Sequence, residues 1–344
     1  MAAVTLQNVR FRGLASCVPK GRISNLDCPP QKKSERERLV RNIGILNRRI
    51  AFPWQCFSDL AYEAAEQLLA AIEWKREEID ALIVVTQSPD YLVPATAIIL
   101  QDRLKLSHST IAFDINLGCS GYPFGIYTLG CMLASGGIKK ALLLVGDRGA
   151  SMNDPIFSDC GTATALEFDP TAPPIHFDMH SDGSGYKAIM LPVGGHREPI
   201  QAHHLIAQRE ENGDLKRATD LILDGTEVLN FSTQRIPPAI RELCAYAQVS
   251  LEEIDYFLLH QANKMINDTI RKKLQLQPEK FPSTLYDFGN TSSASIPLTM
   301  SVRLGNVLPE TSTTLVLSGF GIGLSWGSCV MRTSNVTMLP LIEL

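Results

Sequence analysis

The first candidate for chemistry is a cysteine between a strand pattern and a helix pattern. The segment FDINLGCSG (113–121) predicts a short apolar strand that leads to Cys119, and an apolar helical run follows at 122–134. At such a turn, free backbone N–H groups and the positive end of a helix dipole favour a thiolate. Cysteine pKa values fall there from about 8.5 to roughly 3.5–7.5. The pattern indicates a nucleophile, although Cys119 could also be an ordinary buried cysteine.

Neither the cysteines nor the histidines are spaced like metal ligands. The eight cysteines are scattered without a CxxC pair, which is typical of a reduced cytoplasmic protein and not of a disulfide framework or a zinc site. His176 and His180 are four residues apart, but the loop-forming residues around them predict no helix that would present both on one face. We therefore predict no metal and no other cofactor.

The two halves of the chain repeat one pattern of elements. Three segments recur in the same order at an offset of 173–175 residues: 77–85 with 252–259, 113–114 with 286–287, and 141–146 with 314–319. Each half predicts an amphipathic helix (58–74; 236–247), an apolar strand, a strand–turn–helix unit and another strand. Such alternation indicates a layered α/β fold with pseudo-twofold symmetry.

Prolines near 168–174 interrupt the pattern, so we predict halves at 1–172 and 173–344. The glycine-rich, charged stretch 180–223 is expected to run over the surface.

The repeat predicts that the strand ends of both halves meet at a central seam. The strand that matches 81–85 ends at His260 in LLHQAN, and the turn that matches Cys119 contains Asn290 in GNTSSA. We therefore expect the cysteine of the first half to lie beside a histidine and an asparagine of the second. Taken alone, His260 could be a structural histidine bonded to backbone, and Asn290 could be a turn residue.

Cys119 in DINLGCSG, His260 in LLHQAN and Asn290 in FGNTSSASIP together resemble the three active-site segments of the β-ketoacyl-acyl-carrier-protein synthase III family. The segment GFGIGLSWG (319–327) resembles that family's glycine-rich closing loop. The resemblance implies the thiolase fold, a five-layer αβαβα architecture built from two pseudo-twofold-related halves, and a homodimer.

The resemblance also implies a decarboxylative Claisen condensation. Cys119 would take an acyl group from a thioester, and His260 and Asn290 would stabilise the enolate formed from malonyl-acyl carrier protein. The backbone N–H groups of Cys119 and Ile322 would hold the tetrahedral oxyanion. Two other functions stay open: an acyltransferase of the same fold that uses an amine or hydroxyl acceptor, and a non-catalytic partner subunit of a heteromeric synthase.

Four positions depart from the family's pattern. Members that use coenzyme A thioesters carry a tryptophan and an arginine where this chain has Arg38 and Asn42. We therefore expect a donor on a carrier protein, or an unusual thioester, in a specialised lipid or secondary-metabolite pathway. Val93 stands where a phenylalanine often caps the partner's acyl pocket, which predicts room for a longer or branched acyl chain. Ile322 replaces a glycine and could either narrow the site or pack outward.

The helix predicted to begin near Asn263 carries Lys264, Arg271, Lys272 and Lys273. These residues could form a basic patch for an acidic carrier protein or an ordinary solvated helix face. We take Arg38, Asn42, Asn263, Lys264, Lys272 and Lys273 as candidate residues for binding the carrier protein or coenzyme A.

Bulk composition excludes several classes of protein. A net charge of −4 argues against a general nucleic-acid binder. No apolar run reaches the roughly 20 residues of a membrane span, and the N-terminal residues lack the apolar core of a secretory signal. We expect a cytoplasmic enzyme with acyl carrier protein or coenzyme A thioesters as partners, and neither nucleic acid nor membrane.

Overall fold

The computed structural model describes residues 3–27, 32–151, 154–209 and 215–344. The helices are α1 (Lys33–Ile43), α2 (Phe57–Ala71), α3 (Thr96–Arg103), α4 (Gly121–Ala134), α5 (Gly225–Tyr246), α6 (Lys264–Leu274), α7 (Leu285–Phe288) and α8 (Ser295–Leu304). The strands are β1 (Ala3–Leu6), β2 (Val9–Val18), β3 (Arg22–Ser24), β4 (Asn47–Arg49), β5 (Ala81–Val85), β6 (Ile111–Ile115), β7 (Lys140–Asp147), β8 (Cys160–Phe168), β9 (Ile175–Ser181), β10 (Ile189–Met190), β11 (Gln208–Arg209), β12 (Leu215–Lys216), β13 (Ile222–Leu223), β14 (Tyr256–Leu259), β15 (Thr313–Gly321), β16 (Ser325–Thr333), β17 (Thr337–Met338) and β18 (Ile342–Glu343).

Two large mixed sheets form the frame. The first has the order β17-β2-β8-β7-β5-β6, with β18 also paired to β2, and the second has the order β1-β9-β16-β15-β14. The terminal strands cross between them, because β1 joins the second sheet while β17 and β18 join the first. The predicted boundary near residue 172 falls in the connection between β8 and β9 and stays a prediction.

Helices cover both faces of each sheet. In β5, Ile83 and Val85 pack in the cluster that contains α4 and α8, whereas Leu82 and Val84 pack with α2 and α3 on the opposite face. This division follows from the two-residue period of a strand. The second sheet packs against α4 and α8 on one side and α5 and α6 on the other. The layers therefore alternate as helix, sheet, helix, sheet, helix.

Several predicted elements are confirmed, with shifts at their ends. The strand Ala81–Val85 has the predicted bounds, and the helix after Cys119 begins one residue early, at Gly121. α5 begins at Gly225, well before the expected 236, because the Asp224 side chain caps it by accepting the Thr226 and Glu227 N–H groups (3.0 Å each).

The predicted strand before the second-half turn is wrong. Residues Leu285–Phe288 form the short helix α7, and Asn290 instead makes an isolated bridge with Phe157. The second sheet accordingly ends at β14 and has no counterpart of β6 among the described residues. The duplication therefore preserves the position of the turn but not the strand that leads to it.

Within the described ranges, no helix is both long and apolar enough to cross a bilayer. In the stretch 180–223, expected to run over the surface, residues 180–181 belong to β9 and pair with β16. The described residues from 182 onward form only short elements and are mostly exposed.

Candidate active site

Cys119 lies at the edge where three parallel strands of the first sheet end. β5 pairs in parallel with β6 and with β7, so the carboxyl ends of these strands meet. After β6 the chain turns at Gly118, whose carbonyl accepts a hydrogen bond from the Gly121 N–H (2.7 Å). α4 starts at Gly121. The strand-to-helix placement predicted for Cys119 is confirmed.

Two opposing influences act on the Cys119 thiol. Hydrogen bonds from the Ser292 hydroxyl and from the backbone N–H groups of Ile322 and Cys119 favour its anion. Burial, followed by the nearby negative charge of Asp147, outweighs them and raises the pKa of Cys119 to about 12. The expectation of a lowered pKa is therefore wrong, because a desolvated thiol resists ionisation.

The end of β15 approaches the nucleophile closely. Gly321 has φ +153°, and a Cβ at this position would lie 2.7 Å from Cys119 Cβ and 3.2 Å from its Sγ. Only glycine permits this approach. The next residue, Ile322, hydrogen bonds to the thiol through its N–H. Its Cγ2 lies 2.8 Å from where a Cβ on Gly118 would be, so the Ile322 side chain packs across the turn beside Cys119 and not outward.

His260 follows β14 directly and is buried. Its N–H donates to the Ser318 carbonyl (2.8 Å), and its Nδ1 lies 2.8 Å from Ser295 Oγ. The ring meets Phe320 edge-on, with 5.5 Å between centroids. Burial lowers the pKa of His260 to about 3, against a smaller opposing effect of a hydrogen bond to the Ser292 backbone. The imidazole is therefore neutral near pH 7.

Asn290 is buried between α7 and the turn that starts α8. Its backbone N–H donates to the Ile156 carbonyl (2.9 Å). Its side-chain Oδ1 accepts the Ser292 N–H (2.8 Å), and its Nδ2 lies 3.4 Å from the Ala262 carbonyl. Because Oδ1 is occupied in this way, the amide NH₂ group faces the loop that begins at His260.

Ser292 lies among these three residues, and sequence reasoning missed it. Its N–H donates to Asn290 Oδ1 (2.8 Å), its hydroxyl acts to lower the pKa of Cys119, and its backbone acts to raise the pKa of His260. Ser292 adopts φ +52°, a left-handed conformation that costs a non-glycine residue about 1–3 kcal/mol. The internal repeat could have identified Ser292, because an offset of 173 residues pairs it with Cys119.

Asp147 is the second residue that sequence reasoning missed. It ends β7 and is buried beside the same edge. Its Oδ1 accepts hydrogen bonds from Thr86 Oγ1 (3.0 Å) and from the Gln87 N–H (2.6 Å), and its Oδ2 lies 3.4 Å from Ser293 Oγ. Burial raises its pKa despite these hydrogen bonds, the largest opposing effect being that of Ser292.

The candidate binding residues fall into two groups. Asn42, Asn263 and Lys264 line one surface cleft of about 480 Å³ between α1 and α6, together with Arg41, Ile43, Met265 and Asp268. Asn263 also caps α6, since its Oδ1 accepts the Ile266 N–H (2.9 Å). The loop from His260 to Asn263 connects this cleft to the buried site.

The other candidates lie elsewhere. Arg38 is an exposed residue of α1 that does not line the cleft, and Lys272 and Lys273 lie in the last turn of α6. Lys273 Nζ donates to the Thr233 carbonyl (2.9 Å) of α5. Val93 is 82% exposed, in a loop beside the equally exposed Leu92.

No helix forms at His176 and His180, as predicted. Both residues lie in the strand β9, which pairs with β1 and β16 and presents the two side chains on one face. His176 Nδ1 hydrogen bonds to Thr5 Oγ1 (3.0 Å), and His180 Nε2 lies 2.8 Å from Asp178. In the part of the chain that the structure describes, no group of three or more His, Cys, Asp or Glu could hold a metal ion.

Comparison with known proteins identifies the family. Residues 113–183 match the family model for 3-oxoacyl-[acyl-carrier-protein] synthase III, and residues 244–333 match its C-terminal model. The β-ketoacyl-[acyl-carrier-protein] synthase III of Streptococcus mutans is 32% identical, over 92% of this chain and 96% of that protein. The chloroplastic synthase III of Arabidopsis thaliana is 32% identical, over 93% of this chain and 81% of that protein.

Solved structures agree with the sequence relatives. The crystal structure of a 3-oxoacyl-(acyl-carrier protein) synthase from Burkholderia xenovorans LB400 superposes with a TM-score of 0.91 at 35% identity, over 99% of each chain. The expected thiolase-like, five-layer fold is therefore confirmed. The chain belongs to the β-ketoacyl-acyl-carrier-protein synthase III family.

Proposed function

We propose that this chain forms a β-ketoacyl thioester by decarboxylative Claisen condensation. Cys119 Sγ attacks the carbonyl of an acyl thioester, and the carrier thiol leaves, so that Cys119 holds the acyl group. Malonyl-acyl carrier protein then loses CO₂ and becomes an enolate. The enolate carbon attacks the Cys119-bound carbonyl, the bond from that carbon to Cys119 Sγ breaks, and the Cys119 thiol is regenerated. The single observation that carries this proposal is that the end of β15 brings the three residues into one site. The Ser318 carbonyl accepts the His260 N–H (2.8 Å), Gly321 packs against Cys119, and Asn290 Nδ2 lies 3.4 Å from the Ala262 carbonyl in the loop after His260.

Two donors suit the enolate oxygen. Ser295 Oγ accepts the Gln261 N–H (3.2 Å), so the single hydroxyl hydrogen of Ser295 is available to His260 Nδ1. The neutral imidazole then carries its proton on Nε2, which donates toward the substrate. The Asn290 Nδ2 group supplies the second donor. Loss of one such donor typically lowers kcat by about 10²–10³.

The oxyanion of each tetrahedral intermediate has its own pair of donors. The N–H groups of Cys119 and Ile322 both hydrogen bond to the Cys119 sulfur, so an acyl oxygen bound next to that sulfur lies within their reach. This supports the oxyanion hole expected at these two residues.

We place carrier docking at the cleft between α1 and α6. Asn42, Asn263 and Lys264 line it, and residues 260–263 lead from it to His260. Arg38 and Asn42 stand in place of the tryptophan and arginine that grip coenzyme A in the family's usual pattern. We therefore retain a carrier-protein or unusual thioester donor, and a specialised pathway, as part of the proposal.

The acyl pocket and the oligomeric state belong together. β6 is the edge strand of the first sheet, and Ile111 at its start is 45% exposed. An unpaired apolar edge invites pairing with another strand. We propose a cytoplasmic homodimer in which two β6 strands pair and the exposed Val93 of one copy caps the acyl pocket of the other.

The test uses intact-protein mass spectrometry and product analysis. Wild-type protein incubated with acyl-carrier-protein thioesters should gain one acyl mass that C119A does not gain, and malonyl-acyl carrier protein should then yield CO₂ and a β-ketoacyl product. Transfer of the acyl group to an amine or hydroxyl without release of CO₂ would support the heteroatom acyltransferase instead. An unmodified Cys119 with every thioester would support the non-catalytic subunit. Rapid stoichiometric labelling by acetyl coenzyme A would contradict the proposed donor class.

A further inference from the structure

Arg48 on β4 is a buried arginine that has no part in the reaction outlined above. It is 1% exposed, and its guanidinium donates to the Ser151 carbonyl (2.9 Å), the Phe157 carbonyl (3.2 Å) and Asn25 Oδ1 (3.1 Å). All three acceptors are neutral. Burial of a charge among neutral partners is costly, so an arginine at this position indicates a specific role.

The guanidinium fixes one stretch of the chain at two points. A single atom, Arg48 Nη1, binds both the Ser151 and the Phe157 carbonyls, which are six residues apart. Asn25 adds a third attachment, because its Nδ2 donates to the Pro155 carbonyl (2.8 Å) while its Oδ1 accepts from Arg48 Nε. Hydrogen bonds from a charged donor are stronger than those between neutral groups. Arg48 and Asn25 together therefore fix the course of the chain up to Phe157.

The chain fixed by Arg48 holds the backbone of Asn290 from both sides. The Ile156 carbonyl accepts the Asn290 N–H (2.9 Å), and the Asn290 carbonyl accepts the Ser158 N–H (2.9 Å). Phe157, whose carbonyl binds Arg48, lies between these two attachments and forms the isolated bridge with Asn290. Because Asn290 Oδ1 already accepts a backbone N–H, the direction of its Nδ2 group follows from the position of this backbone.

The aliphatic part of Arg48 also packs directly against the turn that contains Asn290. Gly289 has φ +63°, and a Cβ at this position would lie 2.9 Å from the Ile156 carbonyl oxygen and 3.2 Å from Arg48 Cγ. Glycine permits both the left-handed conformation and this close approach. Arg48 therefore supports the turn through its own side chain as well as through residues 156–158.

We propose that Arg48 positions Asn290 as a donor to the enolate oxygen. Arg48 touches no reacting atom, so it is a positioning residue, and Asn25 acts with it. A displacement of about 1 Å in a catalytic group can cost about 10²-fold in rate. Loss of the guanidinium should therefore slow the release of CO₂ from malonyl-acyl carrier protein, which uses Asn290, and not the acylation of Cys119, which does not. This inference rests on the proposed function and adds a residue that directs one of its two donors.

The experiment measures the two half-reactions separately on the full-length protein. Acylation of Cys119 is followed by intact-protein mass spectrometry, and CO₂ release from malonyl-acyl carrier protein is followed with protein already acylated at Cys119. R48M keeps the aliphatic stem and loses the guanidinium, N25A is a milder change to the same group, and N290A is combined with R48M in a double variant.

R49M is the matched control for the loss of a buried guanidinium. Arg49 is 2% exposed, donates to the Pro19 carbonyl (2.9 Å), pairs with Glu343 and lies 5.6 Å from the Phe288 ring. None of these side-chain partners belongs to residues 151–158. R49M therefore tests whether a change in packing near the same turn is sufficient to slow CO₂ release.

We expect R48M to lower kcat for CO₂ release by about 10–10²-fold, while KM for malonyl-acyl carrier protein and the rate of Cys119 acylation change by less than about threefold. N25A should show the same pattern with a smaller loss, and R49M should change the ratio of the two rates by less than about threefold. Because Arg48 acts through Asn290, R48M should cost less than about twofold more in the N290A background. Equal slowing of both half-reactions, an additive double variant, or the same selective loss in R49M would overturn the proposal.

Hydrogen exchange gives a second measurement that does not depend on catalysis. Peptides that contain the Ser158 and Asn290 N–H groups should exchange at least about tenfold faster in R48M and N25A than in the wild type, while peptides from β7 should not change. Unchanged exchange at both N–H groups would overturn the proposal, and if R48M does not fold, N25A decides by the same criteria. If the wild type releases no CO₂ but the variants show this exchange pattern, the proposed function fails and the positioning of Asn290 by Arg48 stands.

Discussion

The Cys119 thiol experiences two electrostatic effects of different size. A helix N-terminus favours an anion by about 0.3–2 kcal/mol. A rise of the Cys119 pKa from 9.0 to about 12 corresponds to about 4 kcal/mol against the thiolate. Desolvation therefore exceeds the dipole of α4, and the resting enzyme holds a thiol. The acylation step must therefore remove the proton of this thiol.

His260 provides a residue-scale prediction about stability. Its pKa is lowered from 6.5 to about 3, so between these values the unfolded chain binds a proton that the folded chain does not. The stabilisation is complete above pH 6.5 and is lost as the pH falls toward 3. Between pH 7.5 and 5, we expect the free energy of unfolding of the wild type to fall by about 2 kcal/mol more than that of H260N.

Urea denaturation of both proteins at the two pH values measures this difference. S295A keeps the imidazole but removes the hydroxyl beside Nδ1, so it should retain most of the extra pH dependence. Parallel losses in the wild type and H260N would mean that the buried ring is protonated in the folded state and is not the neutral donor proposed here.

At the scale of elements, the basic residues of helix α6 lie at its two opposite ends. Lys264 lies at the cleft and forms an ion pair with Asp268, whereas Lys272 lies eight residues further along, about 12 Å away on the helix axis. That distance exceeds the Debye length of about 8 Å at physiological salt. A carrier protein docked at the cleft would consequently respond to charges at one end of α6 and much less to those at the other.

Charge reversal tests whether the carrier protein docks at the cleft between α1 and α6 or at the other end of α6. We expect R41E, at the cleft, to raise KM for malonyl-acyl carrier protein by about 5–10-fold at physiological salt, because the side chain loses its attraction to an acidic partner. K272E is the matched control on the same surface and should change KM by less than about twofold. Small thioesters that lack the carrier protein should react equally with all three proteins. A larger effect of K272E than of R41E would move the docking site to the other end of α6.

The elements explain what the sequence could and could not predict. Apolar runs such as Ala81–Val85 specify their strands because every residue is buried, and the repeat correctly brought strand ends of both halves together. The strand predicted at Leu285–Phe288 is wrong because the likeness of this segment to the first-half segment rests on two residues. Two residues are too few to distinguish a strand from a helical turn. The sequence around Asp147 does not indicate a buried carboxylate, because its hydrogen-bond partners Thr86 and Ser293 are distant in sequence.

At the scale of the whole molecule, the chain ends interlock the two sheets. β1 pairs with β9 of the second sheet, and β17 and β18 pair with β2 of the first. The catalytic seam between the halves is therefore fastened by strands from both ends of the chain. The internal repeat predicted the layers but not the exchange of terminal strands between the sheets. The strands Thr337–Met338 and Ile342–Glu343 have two residues each and are too short to show the two-residue period of a strand.

The proposed homodimer gives the prediction for the whole molecule. Ile111 is 45% exposed at the open edge of β6, so a lysine there costs a lone chain little, but it places a charge where a second β6 would pair. We expect wild-type protein to have twice the chain mass by light scattering and I111K to have the mass of one chain, with a similar midpoint of thermal unfolding in dilute solution. L191K is the control, since Leu191 is also largely exposed (60%) but lies outside both large sheets, and it should stay dimeric.

If Val93 of one copy caps the acyl pocket of the other, the I111K monomer should also lose its preference among acyl chain lengths while Cys119 stays reactive to iodoacetamide. A dimeric I111K protein would show that β6 is not the interface, and a monomeric wild type would remove the partner's Val93 from the acyl pocket.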